Sequence, residues 1–489
     1  MRWKRLLPVG LRPAPGGGHR LPGNTNLHLL LLGGWLAMAM MVAACEPQPG
    51  SPTVPAGPTA LRPGPTPTQP APSPTPRPTE TPVAPTEGGV IGAQVGPEQV
   101  EMVCAGLQRN GVAATALWLR WGDVDPGNGR YTWDELDRQV EGLRACGLEV
   151  ALHVQARRQG ELSALPPDLE EYARFLAALA THLKGRVRRY SLENEAVSPA
   201  SWGDSADDYF RLLDAAYPAI KAADPEAIVL DSGLSSAALG IARAHDLYQA
   251  GQRTQALHLV QQTLAESAGG LAWHIPQSEE DLDLLFQDPV AARAVAWLPL
   301  LIRHQGSYDA LQFHYYGPAS PLPDLLRWLR QQGLNKPLEG WEVGRRYQGQ
   351  VAFDEAAHAQ ETARLLVTAA GEGSRFSLFV RFLEWPQKGL PGLATRQGPR
   401  PAAVAFRVVA HSLNGFLAAE RLDLGTGVWA YRFTRPQGDL YVLWTDGGQA
   451  SVSLPLTEGA VNVTDIEGQT ATADPSQLEI GPSPVLVSP

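Results

Sequence analysis

Two short segments of the chain carry carboxylates at spacings that suit bond cleavage. One runs Tyr190-Ser-Leu-Glu-Asn-Glu and ends in Glu193, Asn194 and Glu195; the other runs Lys336-Pro-Leu-Glu-Gly-Trp-Glu-Val-Gly and holds Glu339 and Glu342. Between them lies Phe313-His314-Tyr315-Tyr316-Gly317, and after them Glu384-Trp385. Two carboxyl groups facing one another across a sugar cleave a glycosidic bond when one protonates the leaving oxygen and the other attacks the anomeric carbon. A single Glu at the end of an apolar run is usually a surface charge. The order Asn-Glu, then an aromatic His-Tyr-Tyr, then Glu-Val-Gly is what points to chemistry.

These segments must be brought to one place, and the surrounding pattern indicates how. From Val90 onward, short apolar runs alternate with amphipathic helical stretches, the signature of a parallel sheet with crossover helices. The spacing predicts eight strands, at Val90 to Val95, Val112 to Trp118, Leu148 to Val154, Val187 to Leu192, Ala227 to Asp231, Tyr308 to His314, Lys336 to Trp341 and Phe376 to Phe382. Helices are predicted at Thr132 to Cys146, Tyr172 to Lys184, Asp207 to Ala223, Asp324 to Gln332, Ala356 to Ala370 and Ala402 to Leu413, the first opened by a Thr132-x-x-Glu135 capping box. The expected fold class is therefore α/β, a (β/α)8 TIM barrel over residues 89–415, whose chemistry sits at the strand C-terminal ends. Residues 235–303 are too long for a plain connection and read as a helical insertion. Residues 416–489 read as a small all-β domain, with strands at Trp429 to Phe433, Leu440 to Trp444, Ala450 to Leu454, Val461 to Asp465 and Pro484 to Val487. No glycine-rich nucleotide loop follows the first strand.

The chain has 489 residues, a formal charge of −10, 49 Gly, 43 Pro and 3 Cys. The negative balance argues against a general binder of nucleic acid, and the apolar share suffices for a large core. Many of the prolines fall early. Arg2, Lys4, Arg5, Arg12 and Arg20 precede an apolar run, Leu27 to Ala44, that ends at Cys45. This is a secretory pattern over residues 1–44, and Val42-Ala-Ala-Cys45 resembles a bacterial lipobox, in which Cys45 would be lipidated. Residues 45–88, rich in Pro, Thr and Ser, cannot offset their ordering entropy by burial and are expected to be a disordered tether. The expectation is an exported protein held at the outer face of the membrane through Cys45, monomeric, with a carbohydrate substrate, no nucleic acid and no cofactor or metal. Cys104 and Cys146 fall on consecutive predicted helices; two buried free thiols are expected, with a disulfide as the alternative.

The barrel resembles the clan A glycoside hydrolases, and in particular their family 39-like members, whose fourth strand ends in Asn-Glu and whose seventh ends in Glu within a Lys-Pro segment. Trp121 to Asp137, Asp208 to Ala227 and Gly398 to Phe406 look like the same clan. The resemblance implies that Glu195 is the general acid/base and Glu342 the nucleophile of a retaining hydrolase. It implies that Asn194 bonds the sugar 2-hydroxyl, that Tyr316 bonds the nucleophile, that His314 lines the same wall and that Trp385 stacks on sugar. Trp202 and Trp121 are weaker platform candidates, while Trp118 and Trp133 are expected in the core.

The pattern departs from the family in places. Glu193 and Glu339 stand where aromatic residues are usual, Ala196 follows Glu195 in place of Pro, and Trp341 replaces Thr. The clan's second-strand arginine corresponds to Ala116, with Arg120 the nearby substitute. A non-catalytic sugar-binding barrel is the alternative these departures leave open, and a metal-dependent hydrolase using His153 and His314 is a third. On a regular strand Glu193 and Glu195 would share a face, so their repulsion is expected to raise the pKa of one, keeping Glu195 protonated.

Overall fold

A computed structural model describes residues 88–127, 130–157, 162–265, 275–347, 351–456 and 459–489. The signal, Cys45 and all but the end of the tether lie outside the described residues. The first half of the barrel runs β1 (Val90–Ala93), α1 (Val100–Arg109), β2 (Ala114–Arg120), a single turn α2 (Trp121–Val124), α3 (Asp134–Ala145), β3 (Glu149–Gln155), α4 (Leu169–Leu183), β4 (Val187–Leu192), α5 (Ala206–Ala223) and β5 (Ile228–Leu230). Then come β6 (Leu234–Ser235), the helices α6 (Ser236–Gln249), α7 (Arg253–Leu264), α8 (Asp281–Leu285) and α9 (Pro289–Arg303), and β7 (Leu311–Tyr316). The barrel ends with α10 (Leu322–Gln331), β8 (Leu338–Gly344), α11 (Glu355–Gly371), β9 (Ser374–Phe379) and α12 (Pro401–Leu413).

The strands form two parallel arcs, β2-β3-β4-β5 and β1-β9-β8-β7-β6. β5 and β6 are two pieces of one stave, interrupted at Asp231 to Gly233. A Leu230–Ala310 bridge links the arcs on one side, and Ala113 N donates to Ile91 O (3.1 Å) on the other. The ring therefore has eight staves, as the β/α alternation predicts.

Strand alternation divides the side chains cleanly. Val90, Ala114, Ala116, Ala151, Leu230, Ala310, Trp341, Phe376 and Leu378 pack together inside the ring, whereas Leu117, Leu119, Val150 and Leu152 face the helices. Small residues on β2 and β3 leave the volume that the Trp341 indole fills. Beneath it, Glu339 takes two bonds, from Arg189 Nε (3.1 Å) and from Trp341 Nε1 (2.9 Å). Arg189 also pairs with Glu149 and lies 4.3 Å from the Phe376 ring centroid. Glu339 is thus part of a buried ionic floor near the strand N-termini, while Glu342, three residues on, reaches the mouth.

Two local expectations are corrected. α3 begins at Asp134 without the expected capping box: Thr132 Oγ1 donates to Val124 O (3.3 Å), and Glu135 instead bonds Arg138 and Gln139. Cys104 and Cys146 are not free thiols but a disulfide, because the packing of α1 against α3 brings their Cα atoms to 5.5 Å.

The C-terminal domain is antiparallel, with β10 (Ala418–Arg421), β11 (Val428–Thr434), β12 (Leu440–Thr445), β13 (Ala450–Val452), β14 (Val461–Asp465), β15 (Thr470–Ala473), β16 (Leu478–Ile480) and β17 (Val485–Ser488). Six of them form a sheet in the order β10-β11-β12-β17-β14-β15, and β13 pairs with β16. Tyr431 donates to Glu372 Oε1 (3.1 Å), and its ring covers Gly371, where a Cβ would lie 2.3 Å away. Since Glu372 leads into the start of β9, this sheet abuts the barrel near the end opposite the mouth.

Candidate active site

β4 stops at Leu192, and the next three residues leave strand geometry. Glu193 (φ 69°) and Glu195 (φ 46°) both take left-handed backbone, which costs a non-glycine residue about 1 kcal/mol or more. The turn is held by neighbours on both sides: Glu193 N donates to Val154 O (2.9 Å), Glu195 N to Ser232 O (2.6 Å) and Ala196 N to Ser232 Oγ (3.2 Å). As a result Glu193 and Glu195 do not share a face, and the expected repulsion between them is absent. Glu193 turns inward to accept from Ala156 N (2.6 Å), and burial pushes its pKa up to about 7. Burial acts on Glu195 in the same sense, but the hydrogen bond and charge of His314, with the charge of Arg346, outweigh it and hold Glu195 below the usual carboxylate value.

His314 joins the two key acids. Its Nδ1 is 3.1 Å from Glu195 Oε1 and 3.7 Å from Glu342 Oε2. Burial opposes a charge on this ring, yet the Glu342 and Glu195 carboxylates raise its pKa. Its other nitrogen lies 3.1 Å from Gln312 Nε2, while Gln312 Oε1 accepts from Ser191 Oγ (3.0 Å). With the amide so placed, His314 Nε2 accepts and Nδ1–H donates to Glu195. Turned over, the amide offers its oxygen to a fully protonated ring, and the Ser191 hydroxyl suits either arrangement. Asp231 supports the other side of this strand, accepting from Gln312 N (2.6 Å) and Gly233 N (3.1 Å). Gly233 is required: its φ is 84°, and a Cβ there would sit 2.7 Å from His314 Nε2.

Glu342 is gripped from two sides. Tyr316 donates its hydroxyl to Oε2 in a short bond, and Gln94, at the end of β1, donates to Oε1 (3.5 Å) and to Trp341 O (3.1 Å). The nearest ligand-type atoms of Glu195, His314 and Glu342 all lie within 4.8 Å of one another. His153 and His314 do not form a chelating pair. Their rings meet edge-on at 6.2 Å, and His153, wedged between Trp118 and Trp341, is kept neutral by burial and by the charge of His314.

The remaining sequence candidates separate. Asn194 sits between the two left-handed glutamates, half-buried, and its Oδ1 has no hydrogen-bond partner among the described residues. Trp385 is 42% exposed on the loop after β9; its neighbour Glu384 is anchored by Arg400 (2.9 Å), and Arg381 lies 4.9 Å from its ring centroid. Trp202 is not at the mouth. It is fully buried, bonded through Nε1 to Ser205 O (2.9 Å) and set edge-on to Tyr209. Trp121 is likewise in the core, stacked on Phe175. Trp118, expected in the core, is 45% exposed: it continues the inward row of Ala114 and Ala116 toward the C-terminal end of β2, at the mouth. Arg120, at the end of the same strand, is paired with Asp123 at 3.9 Å.

No family model and no curated protein matches the sequence. Solved structures do match. A family 39 glycoside hydrolase from the gut symbiont Bacteroides cellulosilyticus WH2 superposes with a TM-score of 0.56 at 17% identity, covering 82% of this chain and 81% of that one. A glucosidase from Croceicoccus marinus gives 0.51 at 13% identity, over 83% and 96%, and a family 39 β-xylosidase from Caulobacter crescentus gives 0.51 at 16%, over 84% and 97%. The fold is the α/β barrel that these structures share. At these identities the likeness is one of architecture, so the chemistry has to be argued from the side chains of this chain.

Gln94, Trp118 and Arg346 also belong to the mouth, although none of them stands in a motif that marks it as such. Alternation along β1 and β2 was the available signal for the first two, since Val90 and Gly92 precede Gln94 on one face. Arg346 carried no such signal because it lies beyond its strand.

Proposed function

We propose that this protein is a retaining glycoside hydrolase acting on a β-linked oligo- or polysaccharide. The observation that carries this is the closeness of Glu195 and Glu342 across His314, with their nearest oxygens within 4.8 Å. Retaining enzymes place their carboxyl groups about 5–5.5 Å apart, whereas inverting enzymes need roughly 6.5–9.5 Å to admit a water between. Glu342, fixed by Tyr316 and Gln94, attacks the anomeric carbon; Glu195 gives its proton to the leaving oxygen as the glycosidic bond breaks. The side chain of Glu195 is 25% exposed, so a sugar seated over it removes water and favours the neutral acid. In the second half Glu195 takes a proton from water, the water oxygen bonds the anomeric carbon and the bond to Glu342 breaks. Consuming the Glu342 charge in the intermediate lowers the pKa of Glu195, which suits its return as a base. Asn194 bonds the 2-hydroxyl, and Trp385 and Trp118 offer ring faces to the sugar.

The location is outside the cell, with Cys45 lipidated and residues 45–88 as the tether, the protein acting as a monomer. The Cys104–Cys146 disulfide supports export, since such bonds persist in oxidising compartments. A panel of 2-deoxy-2-fluoro glycosides followed by peptide mapping tests the whole reading. A label on the peptide holding Glu342 is expected. Sugar binding with neither label nor turnover would overturn it in favour of a binding protein.

A further inference from the structure

The mouth brings two carboxylates together with a single imidazole, and the second strand adds no cation. Ala116 is enclosed in the barrel interior with Trp341, and Arg120, the last residue of β2, is paired with Asp123 at 3.9 Å. A positive charge does reach the site from another element. β8 ends at Gly344, packed so closely on β9 that a Cβ would meet Val380 O at 2.9 Å, and the chain then turns so that Arg346 lies over Tyr316, its Cζ 4.0 Å from the ring centroid. Nε and Nη1 of Arg346 are buried and have no hydrogen-bond partner among the described residues. A guanidinium stripped of water in this way is costly unless negative charge lies nearby. Here the ring it covers is the one whose hydroxyl holds Glu342, and its charge also reaches Glu195 and Tyr316.

We propose that Arg346 is the positioning cation of this site, balancing the charge of Glu342 through Tyr316 and that of Glu195 directly, from the seventh stave in place of the second. This rests on the retaining-hydrolase reading of the same site. The groups facing Glu195 and Glu342 are then His314 and Tyr316 on β7, Arg346 after β8 and Gln94 just after β1. Asp231 acts one step behind, on His314, while His153 beside it is kept neutral by burial and by the His314 charge. Arg381 approaches Tyr316 from the loop after β9, but it is engaged with Gln99 (3.4 Å) and Trp385.

The experiment compares Arg346→Lys and Arg346→Gln with the parent, each checked for folding by thermal melting. Removing the charge favours the protonated form of Glu195, so the alkaline limb of the kcat/KM profile should move to higher pH in R346Q, by roughly half a unit to one unit. R346K, which keeps the charge and loses the planar stack, should restore that limb toward the parent. An unmoved alkaline limb in R346Q, or equal limbs in R346K and R346Q, would overturn the proposal. A second readout does not need turnover: carboxyl titration of Glu-labelled protein by 13C NMR, assigned with Glu195→Gln. An upward shift of the Glu195 titration in R346Q supports the charge role even if no glycoside is cleaved. An unchanged titration beside an active parent defeats this inference alone.

Discussion

Trp118 stacks on His153 with ring centroids 4.4 Å apart and planes inclined by 19°, where the barrel interior opens to solvent. The buried imidazole fixes the indole from behind and leaves its other side free for a ligand. Sugar C–H faces suit such a surface, and an aromatic contact contributes about 0.5–1.5 kcal/mol. Trp118→Ala is therefore expected to raise KM roughly three- to tenfold, with a smaller effect on kcat, and Trp118→Phe to keep most of the affinity. Trp202→Ala should behave oppositely, losing about 3–5 kcal/mol of stability in denaturant melts without a selective rise in KM, because that indole is packed in the core.

Glu195→Ala should lower kcat by about 10²–10⁴, the usual contribution of general acid-base catalysis. With an activated aryl glycoside, added azide should restore turnover and yield a glycosyl azide of retained configuration, since the covalent step on Glu342 survives. Glu342→Ala should lose hydrolysis and show no such retained product. Product analysis by NMR decides between them.

Glu193 gives a pH dependence of stability that is separate from activity. Its native pKa is pushed up to about 7 by burial, against a reference of 4.5. The native state holds its proton more tightly, so the stability it contributes is complete below the unfolded pKa and is lost as pH rises through about 7. Glu193→Gln removes that slope and should gain on the parent between pH 5 and pH 8, by on the order of 3 kcal/mol at the limit. Asp231, also raised to about 7 by burial, keeps its own slope in the variant. The alkaline limb of activity should not move, because Glu193 faces Ala156 and not Glu195.

Reduction of Cys104–Cys146 releases a loop of sequence separation 42 and should cost about 4 kcal/mol by the chain-entropy relation. The bond ties α1 to the end of α3, away from the residues of the mouth. Denaturant midpoints should therefore fall with reductant while KM at low temperature stays constant.

The ring of eight staves was legible because each strand is a short apolar run followed by a helical period, and β4 lies at Val187–Leu192 as its pattern indicates. His314, Tyr316 and Glu342 were legible as strand-end residues by the same logic. Trp202 was misplaced because a tryptophan in a loop after a catalytic-looking segment carries no sign of which way it points. Trp118 was misplaced because its exposure depends on where the inward row of β2 ends relative to its neighbours. Glu193 was misread because the alternation rule presumes a strand, and the chain leaves strand geometry at that residue.

Order and type of residues, by themselves, determined the barrel, the helical stretch after the fifth strand, the β-rich end and the two strands that deliver carboxylates. These follow from local periodicity, which acts over a few residues and is written in consecutive letters. Tertiary structure alone decided which acid meets which further neighbour: Glu339 with Arg189 in the floor, Glu342 with Gln94, Glu195 with His314, and Arg346 over Tyr316. Those pairings join residues far apart in the chain. They depend on strand register, on the left-handed turn at Glu193 to Glu195 and on the volume Trp341 takes beside Ala116, and none of these is a local property.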